Sequence, residues 1–119
     1  MTIKLYIAGP MAGIPKFNRP AFRDAAEKLR AAGYEVISPI EGWPKEFQEQ
    51  EESSPDGSVA WLSRADVVSI VRRNTEDVIA SDGIALLDNW QGSKGTRNEI
   101  AVAARLGLTV KPVAQWLIS

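Results

Sequence analysis

The segment Gly92-Ser93-Lys94-Gly95-Thr96-Arg97-Asn98-Glu99 is the richest in groups that can do chemistry. It falls where a polar loop turns into a helical pattern, so free backbone N–H groups and the positive end of the helix dipole gather at Ser93. Ser93 adds a hydroxyl, and Gly92 and Gly95 let a ligand approach the backbone. That combination suits a phosphate. It is not a Walker loop, because the lysine does not follow the second glycine. The plain alternative is a helix start with Ser93 as its N-cap.

Glu99 stands about a turn and a half into the same helix. A carboxylate there can attack an anomeric carbon, as in retaining glycosidases, or hold a ribose hydroxyl. An isolated helix glutamate is otherwise simply a solvated charge. Tyr6, near the end of the first apolar run, has a phenol that can bond such a carboxylate or can be a half-buried core residue. Asp82 and Asp88 bracket the third apolar run. Topology puts Asp88 at its C-terminal end and Asp82, as a cap or turn residue, at the opposite one.

Composition restricts these options. Among 119 residues there is no histidine and no cysteine, so disulfides, thiolate nucleophiles, imidazole bases and the common zinc sites are excluded. Carboxylates, hydroxyls, Tyr, Lys, Arg and backbone amides remain, and no cofactor is implied. A formal charge of −1 gives no basic field for a nucleic-acid backbone. No apolar run approaches the ~20 residues of a membrane span, and no signal-peptide pattern opens the chain. A cytoplasmic protein with a small-molecule partner is expected.

The elements that must position these residues alternate. Residues 3–8 read as a buried strand ending at Gly9-Pro10, and the loop from Gly9 to Phe17 leads to a helix with Asn18 or Arg19 near its cap and Pro20 in its first turn. Phe22, Ala25, Ala26, Leu29 and Ala32 recur at helical spacing before Gly33. Residues 34–38 form a second strand and 40–57 a long surface loop. Residues 58–80 are helical, in two pieces if Asp66 caps the second. Residues 83–87 form a third strand, 94–106 a helix stopped by Gly107, 108–110 a fourth strand, and 113–118 a short closing element. The pattern predicts one α/β domain over residues 1–119: a flavodoxin- or Rossmann-like parallel sheet of order 2-1-3-4, with room for a fifth strand and helices on both faces. Ligands of such sheets sit beyond the C-terminal strand ends, which leaves the loops 9–17, 39–57 and 88–93.

Tyr6-Ile7-Ala8-Gly9-Pro10-Met11-Ala12-Gly13-Ile14-Pro15, with Phe17-Asn18 and Pro20-Ala21-Phe22, resembles the opening of the nucleoside 2-deoxyribosyltransferase-like superfamily. Ser81-Asp82-Gly83-Ile84-Ala85-Leu86-Leu87, Asn89-Trp90, Ser93 to Glu99 and Ala104-Arg105-Leu106-Gly107 extend the likeness over nearly the whole chain. It looks closest to a small, often phage- or prophage-borne branch classed as a domain of unknown function. The resemblance implies that Glu99 attacks the anomeric carbon of a nucleoside or nucleotide, that Tyr6 positions it, and that Asp82 handles a proton, against its topological placement. Water or a second base then resolves the glycosyl-enzyme. The residue six positions before the glutamate is acidic in relatives acting on free nucleosides and serine in the nucleotide hydrolases. Ser93, with Lys94 and Arg97 nearby, therefore points to a 5′-monophosphate. Gly9, Pro10, Met11, Phe17, Asp88, Trp90, Ser93, Gly95 and Arg97 are the expected substrate-binding residues.

The stretch from Trp43 to Arg72 does not follow the resemblance, so the residues that read the base are not identified by it. Relatives often complete their sites across a subunit interface. A homodimer or higher homo-oligomer is left open, with Trp61, Trp90 and Trp116 as interface or core residues. Two other readings stand beside a glycosidase: a nucleotide-binding or sensing module without turnover, and another enzyme of phosphate ligands such as a NAD-like nucleotide.

Overall fold

The computed structural model describes residues 2–42 and 44–118; Trp43, read above within the 40–57 loop, lies outside them. The chain runs β1 (Lys4–Ala8), a 3-10 turn (Pro15–Asn18), α1 (Arg19–Ala31), β2 (Glu35–Ile37), α2 (Lys45–Ser53) and α3 (Arg64–Ile79). It continues β3 (Gly83–Leu86), a second 3-10 turn (Trp90–Gly92), α4 (Lys94–Leu106), β4 (Thr109–Pro112) and α5 (Val113–Trp116).

The four strands form one parallel sheet in the order β2-β1-β3-β4. Tyr6 sits opposite Ile37 on one side and Ile84 on the other, and Ile84 opposite Val110. The fifth strand for which the sequence left room is not among the described residues. The tail from Val113 forms the short helix α5 instead.

Strand alternation divides the core. Leu5 and Ile7 face α1 and α5, where they meet Phe22, Ala25, Ala26, Leu29 and Trp116. Tyr6 and Ala8 face the other way, toward Val78 of α3 and Ala103 of α4, together with Ile84 and Leu86. The α1 positions are those whose helical spacing the sequence displays, and burying each large side chain contributes about 1.5–3 kcal/mol. Trp116 is fixed by an indole N–H donated to Ile84 O at 2.9 Å and by an edge-on contact with Tyr34. A Cβ on Gly83 would meet both the Trp116 ring and Thr109 O at 2.9 Å, so close packing requires glycine there.

Helix ends follow local chemistry. Ser93 caps α4 by accepting from Thr96 N–H at 3.2 Å, and Gly107 closes it at φ 72°. The region 58–80 holds one α-helix, Arg64–Ile79, rather than two, and residues 58–63 before it are not helical. Ser63 and Asp66 form a reciprocal capping box at its start, so Asp66 works as the third helical residue and not as the cap of a separate helix.

The segment 40–57 is not the long loop its composition suggests, because α2 lies inside it. Lys45–Ser53 has no broad apolar stripe, and tertiary contacts hold it. Arg19, 3% exposed, donates to Glu51 Oε1 at 2.5 Å, to Glu52 Oε1 at 3.3 Å and to Ile40 O at 3.2 Å. Arg23 pairs with Glu52 as well. The turn after α2 is tied to the loop after β1 by Lys16 N–H to Ser54 O (2.8 Å) and Gly13 N–H to Gly57 O (2.9 Å). Among the described residues, no helix is long and apolar enough to cross a membrane.

Candidate active site

The inward stripe of α4 is Thr96, Glu99 and Ala103, spaced three and four apart as one helical face requires. Thr96 and Ala103 are fully buried, so Glu99 projects its carboxylate into the layer between α4 and the sheet. A charge there needs a partner. Strand alternation supplies one, because Tyr6 is turned to this same face, and its hydroxyl donates to Glu99 Oε2 at 2.9 Å.

Burial dominates the electrostatics of the pair. Desolvation pushes the Glu99 carboxyl up from 4.5 to about 7, opposed by the Tyr6 hydrogen bond. Tyr6 is raised well above its ordinary value, first by burial and then by the Glu99 and Asp77 charges. It therefore stays protonated and remains a donor throughout the neutral range. Glu99 is poised between its two forms near neutrality, as acid–base and nucleophilic carboxylates in clefts commonly are.

Asp77 is the residue that sequence reasoning missed. The inward stripe of α3 carries Asn74, Asp77 and Val78, so two polar groups occupy positions where an apolar face is expected. The outward face meanwhile exposes Val67, Val68, Val71 and Ile79. Burial raises the Asp77 carboxyl, partly offset by Arg73. No spacing in the sequence separates Asp77 from a solvated helix aspartate. Its value comes from the packing of α3 against the sheet.

Asp82 does not join this group. It precedes β3 at the edge where the strands begin, and its Oδ2 accepts the Lys4 backbone N–H at 2.8 Å. That caps the N-terminal end of the two central strands, which is the placement topology gives.

The substrate-binding candidates divide among three places. Ser93 stands at the start of α4, with Gly95 and Arg97 exposed on its first turn. Trp90, half-buried, packs on the Tyr6 cluster. Met11 and Phe17 line a cavity of about 130 Å³ beneath α2 and the following loop. Pro10 and Asp88 line a wider cleft of about 470 Å³ between α1 and α5, across the sheet from Glu99. Gly9 is pressed against Leu87, where a Cβ would collide with that side chain. Trp61 contacts the Phe17 and Phe47 rings edge-on, with centroids 6.1 and 5.3 Å apart.

Among the described residues no group of three or more Asp or Glu side chains could hold a metal. Thr96 Oγ1, buried and without a hydrogen-bond partner, lies one turn before Glu99 on the same face. It is a second polar group that the sequence did not single out.

The sequence profile of a family described as a domain of unknown function (DUF4406) matches residues 3–112. A solved structure described as a 2-deoxyribosyltransferase from the psychrotolerant bacterium Bacillus psychrosaccharolyticus superposes with a TM-score of 0.62. The two share 22% identity over 90% of this chain and 69% of that one, so the fold is common to both. No curated protein sequence matches the chain.

Proposed function

The chain belongs to the DUF4406 family, a domain of unknown function, and on that premise we propose that it cleaves the N-glycosidic bond of a nucleoside or nucleoside 5′-monophosphate, with Glu99 as nucleophile. The observation that carries this reading is the Tyr6–Glu99 pair, a half-buried carboxylate on the inward stripe of α4 held by one phenol at 2.9 Å. The fold shared with a 2-deoxyribosyltransferase adds weight.

The chemistry then runs as a retaining displacement. Glu99 Oε2 is held by Tyr6, so Oε1 attacks C1′ as the C1′–N bond breaks. The bonding pair leaves with the base, which takes a proton from Asp77, a carboxyl whose raised affinity for its proton suits the role. Water, or a second base, next attacks C1′ of the glycosyl ester, returns the electron pair to Glu99, and passes its proton to the Asp77 carboxylate. Ser93 and the amides of the α4 start receive the 5′-phosphate.

The half-protonated state of Glu99 near neutral pH is also what a binding module would use, with the carboxyl holding ribose hydroxyls and no turnover. One experiment separates the two readings. The protein is incubated with a mixed panel of nucleosides and nucleoside monophosphates, and free base and exchanged products are sought by chromatography. Base release that disappears in Glu99→Gln supports the enzyme. Ligand-induced melting shifts with no release from any substrate would sink it in favour of the binding module.

A further inference from the structure

The 130 Å³ cavity beneath α2 is walled by Met11, Phe17, Phe47, Trp61, Leu62 and Ile70, with Glu51 and Asn74 as its polar members. The Glu51 charge is engaged by Arg19 at 2.5 Å. Asn74 Oδ1 is buried and has no hydrogen-bond partner. A buried carbonyl oxygen left unpaired is costly, and where one persists in an apolar wall a missing partner is the economical explanation. Asn74 also lies one turn before Asp77 on the inward stripe of α3, and Asp77 is close enough to Tyr6 to raise it. Asn74 thus joins the wall of this cavity to the α3 face that carries Asp77 and packs toward Tyr6.

We propose that this cavity is the base subsite, that it takes a single-ring pyrimidine base, and that the Asn74 amide reads the hydrogen-bonding edge of that base. The inference rests on the glycosidase or nucleotide-binding reading of Glu99 and adds the substrate class. Its size carries the choice of base. A volume of about 130 Å³ is far below the roughly 300 Å³ at which pockets for whole drug-sized ligands begin. That size matches one flat ring lying against the aromatic wall better than the two fused rings of a purine. The sugar is then directed toward Asp77 and Glu99. An amide offers both a donor and an acceptor, matching the neighbouring acceptor and donor on a pyrimidine edge.

The test uses the full chain carrying Glu99→Gln, so that bound nucleotides persist, and compares it with the double variants that add Asn74→Ala or Asn74→Asp. Calorimetry with dCMP, dTMP, dAMP, dGMP and ribose 5-phosphate gives the affinities. The expected result is tighter binding of the pyrimidine nucleotides than of the purine ones. Asn74→Ala should weaken the pyrimidine nucleotides roughly tenfold or more, the loss of one buried hydrogen bond, and leave ribose 5-phosphate unchanged. Asn74→Asp, an acceptor only, should shift the ranking toward dCMP, whose amino group can donate to it. A preference for purines, parental affinities in Asn74→Ala, or an equal loss with ribose 5-phosphate would each overturn the assignment. The parent chain in the base-release assay keeps the two ideas apart. Release of pyrimidines and purines at rates Asn74→Ala does not alter removes this inference and leaves the glycosidase. Asn74-dependent pyrimidine binding without release removes the glycosidase and leaves this inference.

Discussion

The Tyr6 hydroxyl donates to Glu99 Oε2 at 2.9 Å, and among the described residues no other side chain hydrogen-bonds that carboxylate. The contact joins the middle of the first strand to the second turn of the last long helix, 93 positions apart. Tyr6→Phe therefore isolates one bond. The hydrogen bond lowers the proton affinity of Glu99, so its loss moves the acid limb of the pH–rate profile upward from about 7. A hydrogen bond to a charged group is worth about 1.5–3 kcal/mol, so kcat at neutral pH should fall roughly 10- to 100-fold. A profile with an unmoved limb would make Tyr6 a packing residue only.

If Glu99 is the nucleophile, Glu99→Gln should reduce base release by roughly a thousandfold or more. The same variant has a signed effect on stability. Folding raises the proton affinity of Glu99 from 4.5 to about 7, so the folded state is favoured below about 4.5 and that contribution is lost as pH rises through about 7. Glutamine carries no charge to bury. The variant should therefore be more stable than the parent above pH 7, by up to about 3 kcal/mol, and lose this advantage toward pH 4. Urea melts at pH 4, 6 and 8 read the difference directly. An advantage independent of pH would remove burial of the charge as its cause.

Much of this arrangement was readable beforehand because local chemistry dictates it. Helix α4 carries its own start in Ser93 and its own stop in Gly107, and β1 its apolar run and terminal Gly9-Pro10. Helix α2 was not readable. Its sequence KEFQEQEES lacks a broad apolar face, and what orders it is Arg19, an arginine 32 positions away. Asp77 was hidden for a related reason. The helical period of α3 points to its exposed valines as readily as to its true inner face, which carries Asn74 and Asp77. Asp82 drew attention by sequence likeness, whereas the start of β3 at Gly83 puts it at the N-terminal end of the sheet.

Arg19 makes the α2 cover a point of fragility. Arg19→Met leaves Glu51 buried without its cation, and burial already raises that carboxyl. Breaking a buried pair from one side costs about 3–5 kcal/mol. The expected outcome is a lower melting temperature with new proteolytic cleavage between residues 44 and 58. A double variant that adds Glu51→Met should regain much of the loss, since neither charge then remains buried. Failure of the second substitution to rescue would mean that the pair matters less than the packing around it.

Gly57 fixes the other end of the same cover. Its φ is +72°, and a Cβ there would fall within the backbone of Ile14. Gly57→Ala must both strain a left-handed residue and push apart the Gly13–Gly57 and Lys16–Ser54 hydrogen bonds. Amide exchange at Gly13 and Lys16 should accelerate by at least about tenfold while amides of β1 and β3 keep their protection. Uniform acceleration throughout the chain would mark global destabilisation instead.

Ser93 holds a structural and a proposed binding role at once, and the choice of substitution separates them. Ser93→Ala removes the side chain that accepts from Thr96 N–H, so about 1 kcal/mol of helix stability is lost along with any phosphate contact. Ser93→Asp is cleaner. Aspartate is as good an N-cap as serine and favours the positive end of the helix dipole, so stability should hold or rise slightly. The added charge repels a 5′-phosphate and leaves a 5′-hydroxyl unopposed. If the α4 start receives the phosphate, KM for a nucleoside monophosphate should rise about tenfold or more in Ser93→Asp, while KM for the matching nucleoside stays level or falls. Raising the salt concentration should narrow the gap, because screening weakens a repulsion between partly exposed charges. Equal changes for both substrates would detach Ser93 from the phosphate and leave it as the cap of α4 alone.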